Sequence, residues 1–277
     1  MILSRNVATV LIMAVILPFS SCVNSGSGDV GSITSADFLG TNNARYRHTF
    51  SMIDSLGKTL DSFIDTITVT VSMEPKTIQG FTNSLKVEAR STPSVYNGKV
   101  IGSSSITHWY ATRNDTVYQI AYSSGGGLFL PRTAQRSTGE FSADLSVPYS
   151  VQRYLRNQQR SADSIYIPEL WRAVYSLPLY NGKQWFGYPP SYWFKQRKRV
   201  ESTENISTAA GIFSCFKIRI SINSDQFRPE EIWYDYVSKE GIILRTVQMT
   251  VNIATETNPD GVGRATFNER LELLSLN

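Results

Sequence analysis

The sequence predicts a predominantly antiparallel, strongly curved β-sheet with one or two short helices. The first observation is alternation: in residues 66–73, Thr and Ser fall on one face and Ile, Val and Met on the other, as in a half-buried strand. The second is that such segments flank short polar turns, as residues 106–111 and 116–122 do. The third is that the 3.6-residue periodicity of helices is scarce. Together they favour a mainly β fold.

The predicted elements follow one another along the chain. Polar turns at residues 112–115 and 237–241 each join two strands into a hairpin. One short helix is predicted at residues 168–175, where Pro168 suits a first helical turn. Residues 123–163 are predicted to form a loop. The strands are predicted at residues 66–73, 106–111, 116–122, 216–222, 232–236, 242–253 and 265–276.

The N-terminus has the three parts of a secretory signal. Residues 1–6 carry one charge, on Arg5, and residues 7–17 are apolar apart from Thr9. Small residues then lead to Cys22. The apolar run is too short to span a membrane as a helix, which needs about 20 residues. The sequence therefore predicts export of the mature chain.

The boundary Phe19-Ser20-Ser21-Cys22 resembles the lipobox of bacterial lipoprotein signals, with Phe19 where Leu is usual. The resemblance implies that residues 1–21 are removed and that Cys22 is acylated. Because a lipoprotein cysteine carries two or three acyl chains, attachment to the membrane would be stable. Val23 stands where Asp would imply retention in the inner membrane, so the resemblance implies the outer membrane of the cell envelope. The alternative is an ordinary secretory peptide with an incidental cysteine.

The mature chain is predicted to contain a tether and one domain. Residues 22–44 begin with the lipidated cysteine and continue as a flexible Gly/Ser-rich tether. Residues 45–277 form a single β-rich domain, which is long enough to fold without a metal or a disulfide. A weak internal repeat suggests two β modules, 45–122 and 177–277, joined by residues 123–176.

Charge argues against a nucleic-acid partner. The net charge is only +4 over 277 residues, whereas nucleic-acid-binding domains usually concentrate basic residues on one face. One dense basic run holds Lys195, Arg197, Lys198 and Arg199. This run is predicted either as a solvated strand or loop, or as a patch that faces anionic lipid head groups.

No catalytic motif is present in the sequence, and no cofactor or metal site is predicted. The two histidines, His48 and His108, are interpreted as residues on strand faces. The GxSxG, HExxH and Gly-rich phosphate-loop patterns are missing. Cys215 is predicted to be a buried, inert thiol. Three carboxylates are interpreted as surface residues of strands: Glu230, Glu231 and Asp235.

One segment is unusually rich in aromatic residues. Pro189 and Pro190 within it argue against a central strand. One interpretation is a bent segment that packs over an end of the sheet. The other is a ligand or partner surface, the rim of a pocket for an apolar or sugar ligand. Its aromatic residues are Trp185, Phe186, Tyr188, Tyr192, Trp193 and Phe194.

Residues 177–185, 210–218, Trp233-Tyr234 and 241–245 resemble uncharacterised bacterial envelope lipoproteins that have a β-rich domain. Such proteins are similar in outline to the half-barrels of lipoprotein carriers, in which a curved antiparallel sheet shelters acyl chains. The resemblance implies an open half-barrel-like sheet and brings no catalytic residues with it.

These observations predict a lipid-anchored, non-catalytic binding module of the cell envelope, with an apolar ligand or an envelope protein as its partner. A structural or assembly lipoprotein is the alternative. A hydrolase acting on glycans or esters is the least favoured interpretation.

Overall fold

The computed structural model describes residues 33–34, 37, 43–96, 99–101, 103, 105–125, 170–191, 195–224, 227–253 and 263–277. Within these ranges the chain is almost entirely β-strand. The strands are β1 (Ala44–Asp54), β2 (Thr59–Met73), β3 (Leu85–Ser91), β4 (Ser94–Tyr96), β5 (Lys99–Ile101), β6 (Ser105–Arg113), β7 (Thr116–Gly125), β8 (Arg172–Ser176), β9 (Gln184–Phe186), β10 (Lys195–Thr208), β11 (Gly211–Ser224), β12 (Phe227–Ser238), β13 (Gly241–Ile253) and β14 (Gly263–Leu276).

Twelve of these strands form one antiparallel sheet, and β4 and β5 form a separate small ribbon. The chain runs as a meander, because β6 pairs with β7, β7 with β8, and each strand from β9 onward with the next. The first strand β1 pairs with the last strand β14 along its whole length. The predicted mainly β, curved antiparallel fold is confirmed, and the sheet curls until it is nearly closed.

A single seam lies between β8 and β9, the two edge strands of the sheet. One backbone hydrogen bond crosses it, from Ala173 N to the Gly187 carbonyl at 2.7 Å. The connection that follows β8 is held by a bond from Leu177 N to the Asp115 carbonyl at 2.7 Å. The sheet is therefore barrel-like, with an inner face that can enclose a core.

Local sequence explains the two-residue turn between β6 and β7. Asn114 and Asp115 both have positive φ, 49° and 55°, as the two central residues of a type I′ hairpin turn require. Asn and Asp tolerate this conformation better than other residues with a side chain. The hairpin predicted here is confirmed as β6 and β7.

The inner face carries the main core, to which Leu85, Ile218 and Trp233 contribute fully buried side chains. A smaller cluster lies on the opposite face of β6, where Trp109 packs with Ile120. Since successive side chains of a strand point to opposite faces, Tyr110 faces inward while Trp109 faces outward. The main core therefore contains side chains from strands in both halves of the sequence.

The predicted helix at residues 168–175 is wrong. Arg172–Ser176 forms β8, which pairs with β7 from Thr116 to Gln119. Most of the loop predicted at 123–163 lies outside the described residues. Both predicted modules supply strands to one sheet, and their origin by duplication stays a prediction. No helix among the described residues has the length and apolar character to cross a membrane.

Candidate functional site

The interior of the sheet contains a cavity of about 110 Å³. Its volume approaches that of an engineered apolar cavity of 150 Å³ that stays dry and binds benzene. Strands from both halves of the chain supply its wall, which is mostly apolar. The apolar lining includes Val69, Leu85, Val174, Leu179, Ile218 and Ile220.

Part of the segment predicted as a tether lines this cavity. Ile33 is only 5% exposed and packs in the main core with Leu85 and Val237. Next to it, the Asp37 carboxylate accepts hydrogen bonds from Thr34 N and Oγ1 at 2.8 and 2.7 Å. The predicted tether at residues 22–44 is therefore too long, because an apolar side chain within it is buried in the domain.

A buried ion pair stands on the cavity wall. Arg245 Nε and Nη2 donate to the two carboxylate oxygens of Asp235 at 2.6 and 2.7 Å. The residues are cross-strand partners on β12 and β13, so their side chains share one face, and both line the cavity. Burial lowers the pKa of Arg245, but the charge of Asp235 and its bonds outweigh this and raise the pKa overall. The expectation that Asp235 is a surface acid is wrong, since its partner compensates its burial.

Lys198 is the second charged group on the cavity wall. It lies on β10 and is 4% exposed, and its Nζ donates to the Val174 carbonyl on β8 at 2.8 Å. The side chain therefore bridges the seam. Burial, together with the nearby charge of Arg172, holds the pKa of Lys198 well below its usual range, because both disfavour the ammonium form.

Two buried tyrosines add to the polar part of the lining, which also contains Tyr110, Ser238 and Lys239. Tyr46 and Tyr175 both line the cavity, and burial raises the pKa of each phenol. Both therefore stay protonated and neutral. The Tyr175 ring also lies 5.9 Å from Lys198 Nζ, within the range of a cation–π contact when the amine is charged.

A separate polar cluster surrounds His48 in the interior. His48 Nδ1 lies 3.0 Å from Asp65 Oδ1, and Nε2 lies 3.5 Å from Glu269 Oε1. Burial lowers the pKa of His48, but the bonds to both carboxylates outweigh it and raise the pKa to about 9. His48 is therefore an imidazolium held between two acids at neutral pH. His108 is also buried on a strand, within hydrogen-bond range of Gln119.

The predicted aromatic surface is divided by the structure. Trp185 is buried in the core and Tyr188 packs against it, so these two do not form an open surface. Phe186 is exposed, and the Arg197 guanidinium lies 5.6 Å from its ring centre. Tyr192, Trp193 and Phe194 lie outside the described residues.

The predicted basic patch is reduced to three residues. Lys195, Arg197 and Arg199 are exposed on β10. Lys198 alternates to the inner face and is buried, so its assignment to an exposed anionic-lipid patch is wrong. Period-two alternation along the strand places every second residue of this run inside.

The remaining predicted residues are placed as follows. Cys215 is fully buried, and burial raises the pKa of its thiol to about 12, which confirms the prediction that the thiol is buried. Cys22 and the side chains of Glu230 and Glu231 lie outside the described part of the chain. Within that part, no group of three or more His, Cys, Asp or Glu side chains is arranged to hold a metal ion.

Comparisons with known proteins assign no family. No protein-family model matches the sequence, and no curated protein matches it significantly. Among solved structures, one described as an exported protein of Bacteroides fragilis with a YmcC-like fold is 12% identical, with a TM-score of 0.35, over 86% of this chain and 97% of that one. A structure described as a lipoprotein of Parabacteroides distasonis is 12% identical, with a TM-score of 0.31, over 90% of this chain and all of that one. Similarities at this level carry no argument about family or function.

Proposed function

We propose that this protein is a lipid-anchored, non-catalytic binding module of the cell envelope that holds an apolar ligand inside its sheet. The cavity is the observation that carries the proposal. Its wall is mostly apolar, it is set within the core, and a few polar groups belong to its lining. Small-molecule sites commonly combine an apolar wall with a few placed polar groups.

Binding is favoured over catalysis because polar groups on the wall already have partners. Asp235 uses both oxygens to hold Arg245, so it is poorly placed to act as a general base. Ser238 Oγ donates to Glu240 Oε2 at 2.7 Å, which ties up this hydroxyl. Such groups can orient a ligand, whereas a nucleophile or base needs free lone pairs at the reacting atom.

The closure of the sheet favours a ligand inside over a protein partner outside. Partners often add a strand to an exposed sheet edge. In this sheet, β1 and β14 pair with each other, and the two edge strands β8 and β9 meet at the seam. The alternative of an assembly scaffold is confined to the stretches that the seam leaves unpaired, such as residues 201–208 of β10 and 120–125 of β7.

The location in the proposal comes from the sequence. The apolar run at residues 7–17, followed by small residues and Cys22, supports acylation and export. Val23 after the cysteine supports localisation to the outer membrane. In this proposal the anchor keeps the cavity close to the membrane, where apolar molecules are concentrated.

The test is recovery of a ligand. Mature protein carrying Cys22→Ser is incubated with an envelope lipid extract, purified again, and extracted for mass spectrometry. The proposal expects an apolar molecule that co-purifies, and expects its loss in Val69→Phe, which fills the cavity. Thr70→Phe, which adds the same ring on the exposed face of β2, is the matched control. No co-purifying molecule, or equal recovery from both variants, would overturn the proposal.

A further inference from the structure

A second buried cation, Arg172, lies two residues along β8 from Val174, whose carbonyl accepts the bond from Lys198 Nζ at 2.8 Å. Arg172 on β8 is 5% exposed, and its Nε and Nη2 have no hydrogen-bond partner among the described residues. Its charge acts on Lys198 strongly enough to help lower the pKa of that amine. A buried guanidinium with two unused donors is costly, because buried polar groups are nearly always hydrogen-bonded.

Among the described residues, no acid forms an ion pair with either of these two cations. Asp235 is the carboxylate whose charge acts on Lys198, and Arg245 already binds both of its oxygens. The region around the seam therefore has an excess of positive charge and of donors.

A further unused donor lies beside Lys198. Trp185 is its cross-strand partner on β9, and both side chains are buried. The indole Nε1 has no hydrogen-bond partner among the described residues. Cross-strand partners lie about 5 Å apart at Cβ, so the indole of Trp185 lies on the same face of the sheet as Lys198.

The interior itself shows which group suits such donors. Arg245 holds the Asp235 carboxylate with Nε and Nη2. These are the same two nitrogens that are unused in Arg172. A guanidinium presents this pair as a fork that matches the two oxygens of a carboxylate.

We propose that Arg172 and Lys198 form an anion-binding end of the cavity, and that the ligand is an apolar molecule that carries a single carboxylate. This inference rests on the proposed function and names the chemistry of its ligand. Lys198 lines the cavity and meets the carboxylate there. Arg172 contributes its charge and its fork from the seam, and the apolar part of the ligand occupies the space between Leu85 and Ile220.

The experiment compares hexanoate with hexanol, which have the same apolar tail but differ in charge. Both are titrated into the mature Cys22→Ser protein by calorimetry. Hexanoate is expected to bind at least about tenfold more tightly, since a charge-assisted hydrogen bond contributes that much. Lys198→Met and Arg172→Met are each expected to remove this preference, measured as the ratio of the hexanoate and hexanol affinities of the same variant. Lys195→Met, on the exposed face of the same strand, is expected to keep it.

The outcomes separate the two proposals. Hexanol binding without any preference for hexanoate, or a preference that survives in Lys198→Met and Arg172→Met, would overturn the anion site and leave the apolar cavity standing. Binding of neither compound would overturn the proposed function as well. Hexyl phosphate is the third arm, and tighter binding of it than of hexanoate would replace the carboxylate by a phosphate head group.

Discussion

Removal of one partner from the buried pair Asp235–Arg245 should strongly destabilise the fold. In Arg245→Met, the carboxylate of Asp235 keeps its buried position, 4% exposed, but loses both of its bonds at 2.6 and 2.7 Å. An unpaired buried charge costs about 3–5 kcal/mol. Since the total stability of a domain is only about 5–15 kcal/mol, this loss should be plain in urea denaturation followed by circular dichroism.

Two controls make the result specific to burial. The pair Arg270–Glu272 has a similar distance of 3.0 Å but an arginine side chain that is 47% exposed, so Arg270→Met should cost less than about 1 kcal/mol. The double variant Asp235→Leu with Arg245→Met should recover most of the loss, because no charge remains buried. A cost below about 1 kcal/mol for Arg245→Met alone, or no recovery in the double variant, would refute this reasoning.

Three further predictions concern the interior and the anchor. Asp65 and Glu269 raise the pKa of His48 to about 9, although burial opposes this. The charged His48 therefore stabilises the fold fully below pH 6.5 and loses this effect as pH rises through 9, so the free energy of unfolding should fall by up to about 3 kcal/mol across that window. His48→Gln should flatten this dependence on pH, and an unchanged dependence would contradict the assignment. Ile33→Ala should lower the free energy of unfolding in urea by about 2 kcal/mol, because the side chain is buried. An unchanged free energy would mean that Ile33 belongs to the flexible tether after all. Cys22→Ala should leave an uncleaved, unacylated precursor in cells, and mass spectrometry showing normal cleavage would contradict the lipoprotein signal.

Strands with an apolar inner face were predictable from the sequence. The alternation in residues 66–73 and 216–222 matches β2 and β11, in which Ile67 and Ile218 are buried. The strand β10 was not clear, because two of its inward residues are Gln196 and Lys198. Alternation reveals a strand only when the two faces differ in polarity, and the interior of this sheet holds polar groups.

The partner of Asp235 was hidden by a local irregularity. Counting back from the turn pair Ser238 and Gly241 would place Asp235 opposite Leu244, but a register shift after Tyr236 places it opposite Arg245. Such a bulge inserts one residue into one strand. It has no reliable sequence signal in this hairpin, so the buried ion pair could not be read from the chain.

The cavity depends on pairings that no local pattern specifies. Leu85 and Ile218 line the same space although they are far apart in sequence. They meet because β1 pairs with β14, which joins the two halves into one nearly closed sheet. The helix predicted at residues 168–175 failed for the same reason, since pairing with β7 overrides a weak local preference.

The most direct test of the account is where a small apolar molecule binds. Hexanol is added to methyl-labelled mature protein, and intermolecular nuclear Overhauser effects are recorded. We expect Overhauser effects between hexanol and the buried methyl groups of Leu85, Ile218 and Ile220, which line the cavity. Effects confined to exposed methyl groups, such as that of Ile212 at 60% exposure, or none at all, would contradict it.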